Sequence, residues 1–151
     1  HLQKTMSEIN QAHPDVRAVI SVNKGLVTQA SAAIPVVPLY FAILYKVMKR
    51  AGNHENCIQQ IARLFTQKLY TPEGFRTDEN GFIRMDDYEL LPEIQEEVKK
   101  CWKAVTTDTV NQYCDIDGYW EDFYHMFGFH YSDIDYTQDV DANVEINGIV
   151  M

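Results

Sequence analysis

The stretch RAVISVNKGLVTQASAAIPVVPLYFAILYKVMK, residues 17–49, decides the fold of this chain. Its first part, Arg17–Val22, is rich in β-branched residues and lacks Gly and Pro, which predicts a buried strand. Its last part, from about Val36 to Arg50, is apolar on nearly all sides and predicts a long core helix. Because ligands of open α/β sheets bind beyond the carboxyl ends of strands, the turn between these elements is a candidate site. The same pattern also fits an ordinary strand-to-helix connection.

Within this turn, the residue types suit contact with a bound cofactor. Gly25 lets the backbone approach a ligand closely, because it has no side chain. Thr28 or Ser31 can cap a short helix whose first free amides accept an anion. Asn23 and Lys24 are expected to shape the loop instead.

Composition and charge narrow the possible functions. The chain has 151 residues, 46% of them hydrophobic, which is enough for a globular core, and its formal net charge of −9 argues against a nucleic-acid partner. The three cysteines lack metal-ligand spacing. They fit free thiols in a reducing compartment, which predicts a cytoplasmic protein, and they equally fit small residues of the core. Asp115-x-Asp117-Gly118 lacks the other ligands of a calcium loop, so no metal is expected.

The apolar run Ala30–Leu44 is too short to span a bilayer and is interrupted by two prolines, so no membrane span or signal peptide is expected. At the amino end, Leu2, Met6 and Ile9 recur at helical spacing without an initiator Met. This predicts that the chain begins inside a helix and is a fragment of a longer protein.

The other segments are mainly helical. We expect a helix over residues 1–11, a helix from 53 or 54 to 70, a surface hairpin or loop over 75–90, helices over 92–105 and within 106–117, an aromatic helix over 118–128, and an extended acidic tail from 130 with Asp133, Asp135, Asp139 and Asp141. The buried stripe of the second helix is predicted to be Ile58, Ile61, Leu64 or Phe65, and Leu69. A single strand cannot form a sheet, so its neighbours are expected outside this chain.

Five blocks in this order resemble the C-terminal part of FabV-type trans-2-enoyl-[acyl-carrier-protein] reductases, a family that includes the trans-2-enoyl-CoA reductases. They are VNKGLVTQASAAIPVVPLY, LYKVMK, GNHENCIQQIARLF, DENGFIRMDDYEL and GYWEDFYHMFGF. The resemblance implies an α/β fold, namely the C-terminal portion of an enlarged Rossmann-type, short-chain-dehydrogenase-like fold that is mostly helical here. Residues 1–52 would end the Rossmann-like core with the cofactor loop and a substrate-covering helix, and residues 53–151 would form a helical region labelled flavin-binding from about 86.

The resemblance also implies an activity. The full-length enzyme would be a monomeric NADH-dependent reductase of the 2,3 double bond of enoyl thioesters in fatty acid biosynthesis, with the acyl chain on acyl-carrier protein or CoA. Hydride would go to the β-carbon, and a Tyr would stabilise the enolate. That Tyr and its Lys, in a Y-x8-K arrangement, and the Gly-rich dinucleotide turn lie upstream. This chain would then hold no catalytic residue, need the remaining N-terminal part of its polypeptide, and be inactive alone. No flavin motif is visible, so FAD is not expected.

By resemblance, the cofactor-binding residues are Gly25, Leu26, Val27, Thr28 and Ser31. The residues expected to line the substrate are Ile34, Tyr40, Leu44, Tyr45, Tyr119 and Phe123. Each of these substrate residues also fits an ordinary core. A modest basic grouping for an acidic carrier protein is Lys46, Lys49, Arg50, Arg63 and Lys68, although a solvated helix end explains it equally. The alternative function is a non-enzymatic helical protein-interaction module whose acidic, aromatic C-terminus docks a partner.

Overall fold

A computed structural model describes residues 1–72 and 74–140 of the chain. The elements in chain order are α1 (Leu2–Ala12), β1 (Ile20–Val22), α2 (Gln29–Ala32), α3 (Val37–Ala51), α4 (Cys57–Arg63) with a continuing π-helical segment (Leu64–Leu69), β2 (Phe82–Arg84), α5 (Pro92–Ala104), α6 (Val110–Tyr113) and α7 (Ile116–His125). The mostly helical α/β architecture is the one expected.

The two strands form a parallel pair in which Ser21 lies opposite Ile83. Of the hairpin or loop expected on the surface over 75–90, the hairpin is wrong, because β2 pairs with β1 and Ile83 and Met85 are buried. The neighbour of β1 therefore lies inside this chain. The turn before β2 explains the error, because the Asp78 carboxylate accepts hydrogen bonds from the amides of Asn80 and Phe82, both at 2.9 Å, and directs the chain into the sheet. β1 is also shorter than predicted, since the backbone of Ala18 pairs with the side chain of Asn10 instead.

Helix α3 is the centre of the core. Its side chains Ile43, Leu44, Tyr45 and Met48 have no exposed surface, and each such burial contributes about 1.5–3 kcal/mol before entropy is counted. The helix packs against α5 and α7, and it ends at Gly52, whose φ of 75° suits glycine. The prediction of an apolar helix buried in protein is confirmed. The hydrophobic core joins α3 to α5 and α7. It therefore includes residues from both of the proposed regions, 1–52 and 53–151.

The second predicted helix turns most of its expected buried stripe outward. Ile58, Ile61 and Phe65 are 50%, 47% and 43% exposed. Leu64 and Leu69, the other members of the predicted stripe, are half-buried, whereas Gln60 and Arg63 are buried. Arg63 turns this face inward because its guanidinium pairs with carboxylates on both sides. The helix also begins later than expected, at Cys57, after a reciprocal cap between Asn56 and Gln59.

The remaining helices agree with the prediction to within a few residues. The tail from His130 forms turns as far as Val140, and the Tyr131 amide donates to the Tyr136 hydroxyl at 2.9 Å. Asp141, the last residue of the predicted acidic tail, lies outside the described residues. In the part of the chain that the structure describes, none of the helices has the length and apolar character needed to cross a membrane.

Candidate functional site

The loop after β1 lies directly against α3, and Gly25 is the point of contact. A Cβ at Gly25 would lie 2.7 Å from Cε1 of Phe41 and 3.2 Å from Cδ2 of Leu44. The missing side chain therefore makes room for α3. The sequence prediction assigned this space to a cofactor, and the structure assigns it to helix packing.

Two amides of the loop are already satisfied by this chain. The Gly25 N–H donates to Oε2 of Glu89 at 2.5 Å, and the Val27 N–H donates to the Tyr45 hydroxyl at 2.6 Å. Val27 is also only 1% exposed and belongs to the hydrophobic core. The Val27 amide is thus occupied and its surface is covered in this structure, and contact between the Val27 backbone and a cofactor stays a prediction. Leu26, the remaining predicted residue of this part, is half-buried.

Thr28 and Ser31 cap α2 reciprocally, as predicted for a Thr or Ser at this point. The Ser31 amide donates to Oγ1 of Thr28 at 3.1 Å, and the Thr28 amide donates to Oγ of Ser31 at 2.8 Å. Gln29 and Ala30 are exposed, and their amides have no hydrogen-bond partner among residues 1–72 and 74–140. The start of α2 can therefore accept an anion beside the Thr28 hydroxyl.

The predicted substrate residues fall into buried and accessible groups. Leu44 and Tyr45 have no exposed surface, and Tyr119 is 4% exposed. A side chain without accessible surface cannot touch a ligand until its neighbours move. Leu44 and Tyr45 therefore serve the core in this structure, and their contact with substrate stays a prediction. Ile34 is 52% exposed and accessible.

Tyr40 and Phe123 remain accessible, since both are half-buried. The Tyr40 hydroxyl donates to Oε1 of Glu89 at 2.7 Å, and the Phe123 ring meets Trp120 edge-on with centroids 5.5 Å apart. Burial, followed by the hydrogen bond to the Glu89 carboxylate, raises the pKa of Tyr40 to about 12. Tyr40 is therefore a neutral hydrogen-bonding group at physiological pH.

Lys24 is a buried cation beneath the loop. It is 3% exposed, its Nζ donates to the Gly25 carbonyl at 3.2 Å, and Nζ lies 4.9 Å from the centre of the Tyr45 ring. Burial lowers the pKa of Lys24 to about 8, and the nearby carboxylates of Glu89 and Asp122 only partly offset this effect. The structure supports the expectation that Lys24 shapes the loop.

A second buried polar pair supports Tyr45 from the other side. His54 Nε2 lies 2.9 Å from Oδ2 of Asp122, and the imidazole ring lies 4.5 Å from the Tyr45 ring. No sequence pattern indicates this pair, because its members are 68 residues apart and belong to no motif. The sequence likewise gives no sign of the role of Glu89, because its partners Gly25 and Tyr40 are 64 and 49 residues away.

Three cavities adjoin these elements. A small apolar cavity of about 200 Å³ between α3 and α7 is lined by residues that include Leu39, Ala42 and Tyr119. An open groove of about 550 Å³ runs between α3 and α5, past Tyr40 and Trp102. A polar cavity of about 530 Å³ lies near the start of β2 and is lined by residues that include Lys68, Arg76 and Arg84. The first two border the predicted substrate residues.

The predicted basic grouping does not form a free cationic face. Arg63 is buried in ion pairs, Lys49 pairs with Asp115 at 2.7 Å, and Lys46 donates to two backbone carbonyls. Lys68 pairs with Asp87 at 2.8 Å. These four cations are thus bonded within the fold, whereas Arg50, the fifth member of the grouping, is exposed near the end of α3. In the same described ranges, no cluster of three or more His, Cys, Asp or Glu side chains is placed to hold a metal ion.

The two strands are parallel, and β1 leads into a capped loop that packs under an apolar helix, an arrangement that fits the C-terminal portion of a Rossmann-type α/β fold. Two family models match the chain. Residues 1–70 match "Trans-2-enoyl-CoA reductase catalytic region", and residues 77–140 match "Enoyl reductase FAD binding domain".

Curated relatives and solved structures agree with these matches. The enoyl-[acyl-carrier-protein] reductase [NADH] of Flavobacterium psychrophilum is 45% identical over 99% of this chain, and that of Coxiella burnetii strain RSA 493 is 47% identical over 100%. The trans-2-enoyl-CoA reductase of Treponema denticola in complex with NAD has a TM-score of 0.82 and 46% identity over 93% of this chain and 35% of its own. The Clostridium enzyme in complex with NADH has a TM-score of 0.81 and 45% identity, covering 93% of this chain and 36% of its own.

The chain therefore belongs to the trans-2-enoyl thioester reductase family. It corresponds to the C-terminal part of its members and spans 38% of the length of the curated relatives named above.

The flavin-binding label of residues 77–140 is the name of the family model that matches them. A flavin dinucleotide needs an apolar slot for its ring system and cations for its pyrophosphate. In the cavity near β2, Lys68 and Arg84 are already paired with carboxylates. That the enzyme uses no flavin stays a prediction.

Proposed function

We propose that this chain is the C-terminal part of an NADH-dependent reductase that reduces the 2,3 double bond of trans-2-enoyl thioesters. The observation that carries the proposal is the 45–47% identity, over 93% or more of this chain, to proteins named as NADH-dependent enoyl-[acyl-carrier-protein] reductases and as a trans-2-enoyl-CoA reductase in complex with NADH. The capped start of α2, which lies beyond the carboxyl end of β1 and has exposed amides, supports it. We further propose acyl-carrier protein as the preferred carrier, a cytoplasmic location and a monomeric enzyme.

The part of this site for the cofactor is the start of α2. The amides of Gln29 and Ala30 would hold a phosphate oxygen, because they are exposed donors at the start of α2. The Thr28 hydroxyl, which donates to Oγ of Ser31 at 3.1 Å, would turn toward the phosphate while still accepting from the Ser31 amide. NADH, when bound, supplies the hydride that goes to the β-carbon of the acyl chain. Ser31 acts by holding Thr28 in place, since the Ser31 hydroxyl donates to the Thr28 carbonyl.

The part of the site for the substrate is the surface of α3 and α7. The groove beside Tyr40 and the apolar cavity beside Tyr119 would hold the acyl chain away from water, which strengthens electrostatic interactions at the reacting centre. The Tyr119 hydroxyl is buried and has no hydrogen-bond partner among the described residues, so a polar group of the substrate could satisfy it. The tyrosine that stabilises the enolate would come from the preceding part of the polypeptide.

The proposed activity is tested with the full-length protein. Purified enzyme is mixed with NADH and a trans-2-enoyl thioester, once on CoA and once on acyl-carrier protein, and NADH absorbance is followed. Consumption of NADH with formation of the saturated thioester is expected. Absence of NADH oxidation with both carriers would overturn the proposal.

The alternative of a non-enzymatic interaction module is not favoured. Relatives named as reductases match 99% or more of the chain, so the acidic, aromatic C-terminus belongs to the same family as the loop.

A further inference from the structure

One carboxylate joins three separate elements around the proposed site. Glu89 lies in the segment between β2 and α5, and it accepts the Gly25 amide on Oε2 at 2.5 Å and the Tyr40 hydroxyl on Oε1 at 2.7 Å. Its own carbonyl accepts from Nε2 of Gln95, on α5, at 2.8 Å. The cofactor loop, α3 and α5 therefore meet at Glu89.

The two peptide groups that flank the Gly25 Cα are each held by one hydrogen bond. The N–H of Gly25, in the Lys24–Gly25 peptide, donates to the Glu89 carboxylate, and the C=O of Gly25, in the Gly25–Leu26 peptide, accepts from the ammonium of Lys24 at 3.2 Å. Hydrogen bonds that involve a charged group are stronger than neutral ones. The backbone of the loop is therefore fixed on both sides of Gly25.

The other oxygen of Glu89 binds the hydroxyl of Tyr40, whose side chain lines the groove between α3 and α5. Tyr40 and Gln95, both bonded to Glu89, line this groove together with Trp102. A carboxylate is an acceptor at both oxygens, so it can hold an N–H and an O–H at the same time. A movement of the loop that displaces Glu89 would consequently displace the hydroxyl of Tyr40 as well.

We propose that Glu89 is a positioning residue whose carboxylate holds the loop Gly25–Ser31 and the Tyr40 side chain as one unit, coupling the cofactor region to the substrate groove. This inference rests on the proposed function, because the two regions that it joins are those proposed for NADH and the enoyl thioester. Glu89 itself touches neither reacting group.

Hydrogen exchange measured by mass spectrometry tests, without relying on activity, whether Glu89 holds the loop and Tyr40 together. In the full-length protein, Glu89→Ala is expected to accelerate amide exchange about fivefold or more in peptides covering residues 23–31 and 38–44 together, because one carboxylate restrains both. Glu89→Gln should largely restore protection, since its amide can accept from Gly25 and donate to the Tyr40 oxygen. Glu79→Ala, which removes an exposed carboxylate with no contact to the loop, is the matched control. Unchanged exchange in either peptide of Glu89→Ala overturns the proposal.

Kinetics of the same variants test the consequence. Glu89→Ala is expected to raise the KM for both NADH and the thioester about fivefold, whereas Tyr40→Phe raises only the thioester KM. A lower melting temperature with both KM values unchanged would reduce Glu89 to a structural role and contradict the coupling. Should wild-type enzyme fail to oxidise NADH, the proposed function falls, and the exchange measurement alone decides whether Glu89 holds the two elements together.

Discussion

At Thr28 a single hydroxyl carries both a helix cap and the proposed phosphate contact. Thr28→Val keeps the shape of the side chain but removes both hydrogen bonds. We expect the KM for NADH to rise about tenfold, since a hydrogen bond to a charged group is worth roughly 1.5–3 kcal/mol, and stability to fall by about 1 kcal/mol through the lost cap. Steady-state kinetics and thermal melts of the full-length protein measure the two effects.

Thr28→Ser serves as the control, because it keeps the hydroxyl and should leave the NADH KM near that of the wild type. Ser31→Ala is expected to raise this KM less than Thr28→Val, since Ser31 acts through Thr28. If neither Thr28→Val nor Ser31→Ala changes NADH kinetics, both residues are removed from the site.

At Lys24 the buried charge gives stability a distinct pH dependence. Its pKa is 10.5 when exposed and about 8 in the folded chain, a difference of roughly 3 kcal/mol between the two protonation states. Because the unfolded chain holds the proton more tightly between these two values, the contribution of Lys24 to stability rises with pH from about 8 to 10.5. Below pH 8 the full cost of the buried charge is present.

The test compares wild-type protein with Lys24→Met in thermal melts between pH 7 and pH 11. The difference in stability between the two proteins should stay flat below pH 8 and then move in favour of the wild type as pH rises to 10.5. A difference that is independent of pH over this range contradicts the buried, depressed lysine. A second variant, Lys4→Met, removes an exposed lysine of α1 and should show no such trend.

At the scale of elements, the sequence predicted which helices form far better than which way they face. The periodicity of α3 and the cap at Thr28 are local properties, so they could be read from neighbouring residues. β2 has only three residues, too few for alternation to reveal it. The partners of Glu89, at Gly25 and Tyr40, are 64 and 49 residues away, and no local pattern encodes such pairings.

The reversed face of α4 depends on Arg63. Its guanidinium binds Glu55 at 2.6 Å, Asp87 at 2.9 Å and the Met85 carbonyl at 2.9 Å, and its side chain is 5% exposed. Arg63→Ala would leave the mostly buried Glu55 carboxylate unpaired, and we expect a loss of about 3 kcal/mol in the free energy of unfolding. Denaturant titration of the full-length protein measures this loss.

Arg63→Lys should recover only part of the stability, because lysine keeps the charge but cannot make the forked contact. The matched control is Arg76→Ala, which removes an exposed cation from the neighbouring loop and is expected to change stability by less than about 0.5 kcal/mol. Equal effects of Arg63→Ala and Arg76→Ala would show that the inward ion pairs do not set the face of α4.

At the scale of the whole molecule, this chain exposes several large apolar side chains on helix faces. They include Ile58, Ile61 and Phe65 on the α4 face and Trp120 and Tyr124 on α7. Ile58, Ile61 and Phe65 are close in sequence on one helical stretch, and grouped apolar side chains of this kind are typical of an interaction site. The relatives of the chain are more than twice its length. We therefore expect the preceding part of the polypeptide to cover the α4 face.

Separate expression of the two parts tests this expectation. The 151-residue chain alone should not oxidise NADH, because the nucleotide turn and the tyrosine implied by the family resemblance lie outside it. Co-expressed with the preceding part as a second polypeptide, it should co-purify with that part and regain NADH oxidation. Ile61→Asp should weaken co-purification at least tenfold, since burying an unpaired carboxylate costs several kcal/mol, whereas Thr66→Asp, which adds the same charge at an exposed polar position of the π-helical segment, should not. Equal recovery of both variants with the preceding part would mean that the α4 face stays in water in the complete enzyme.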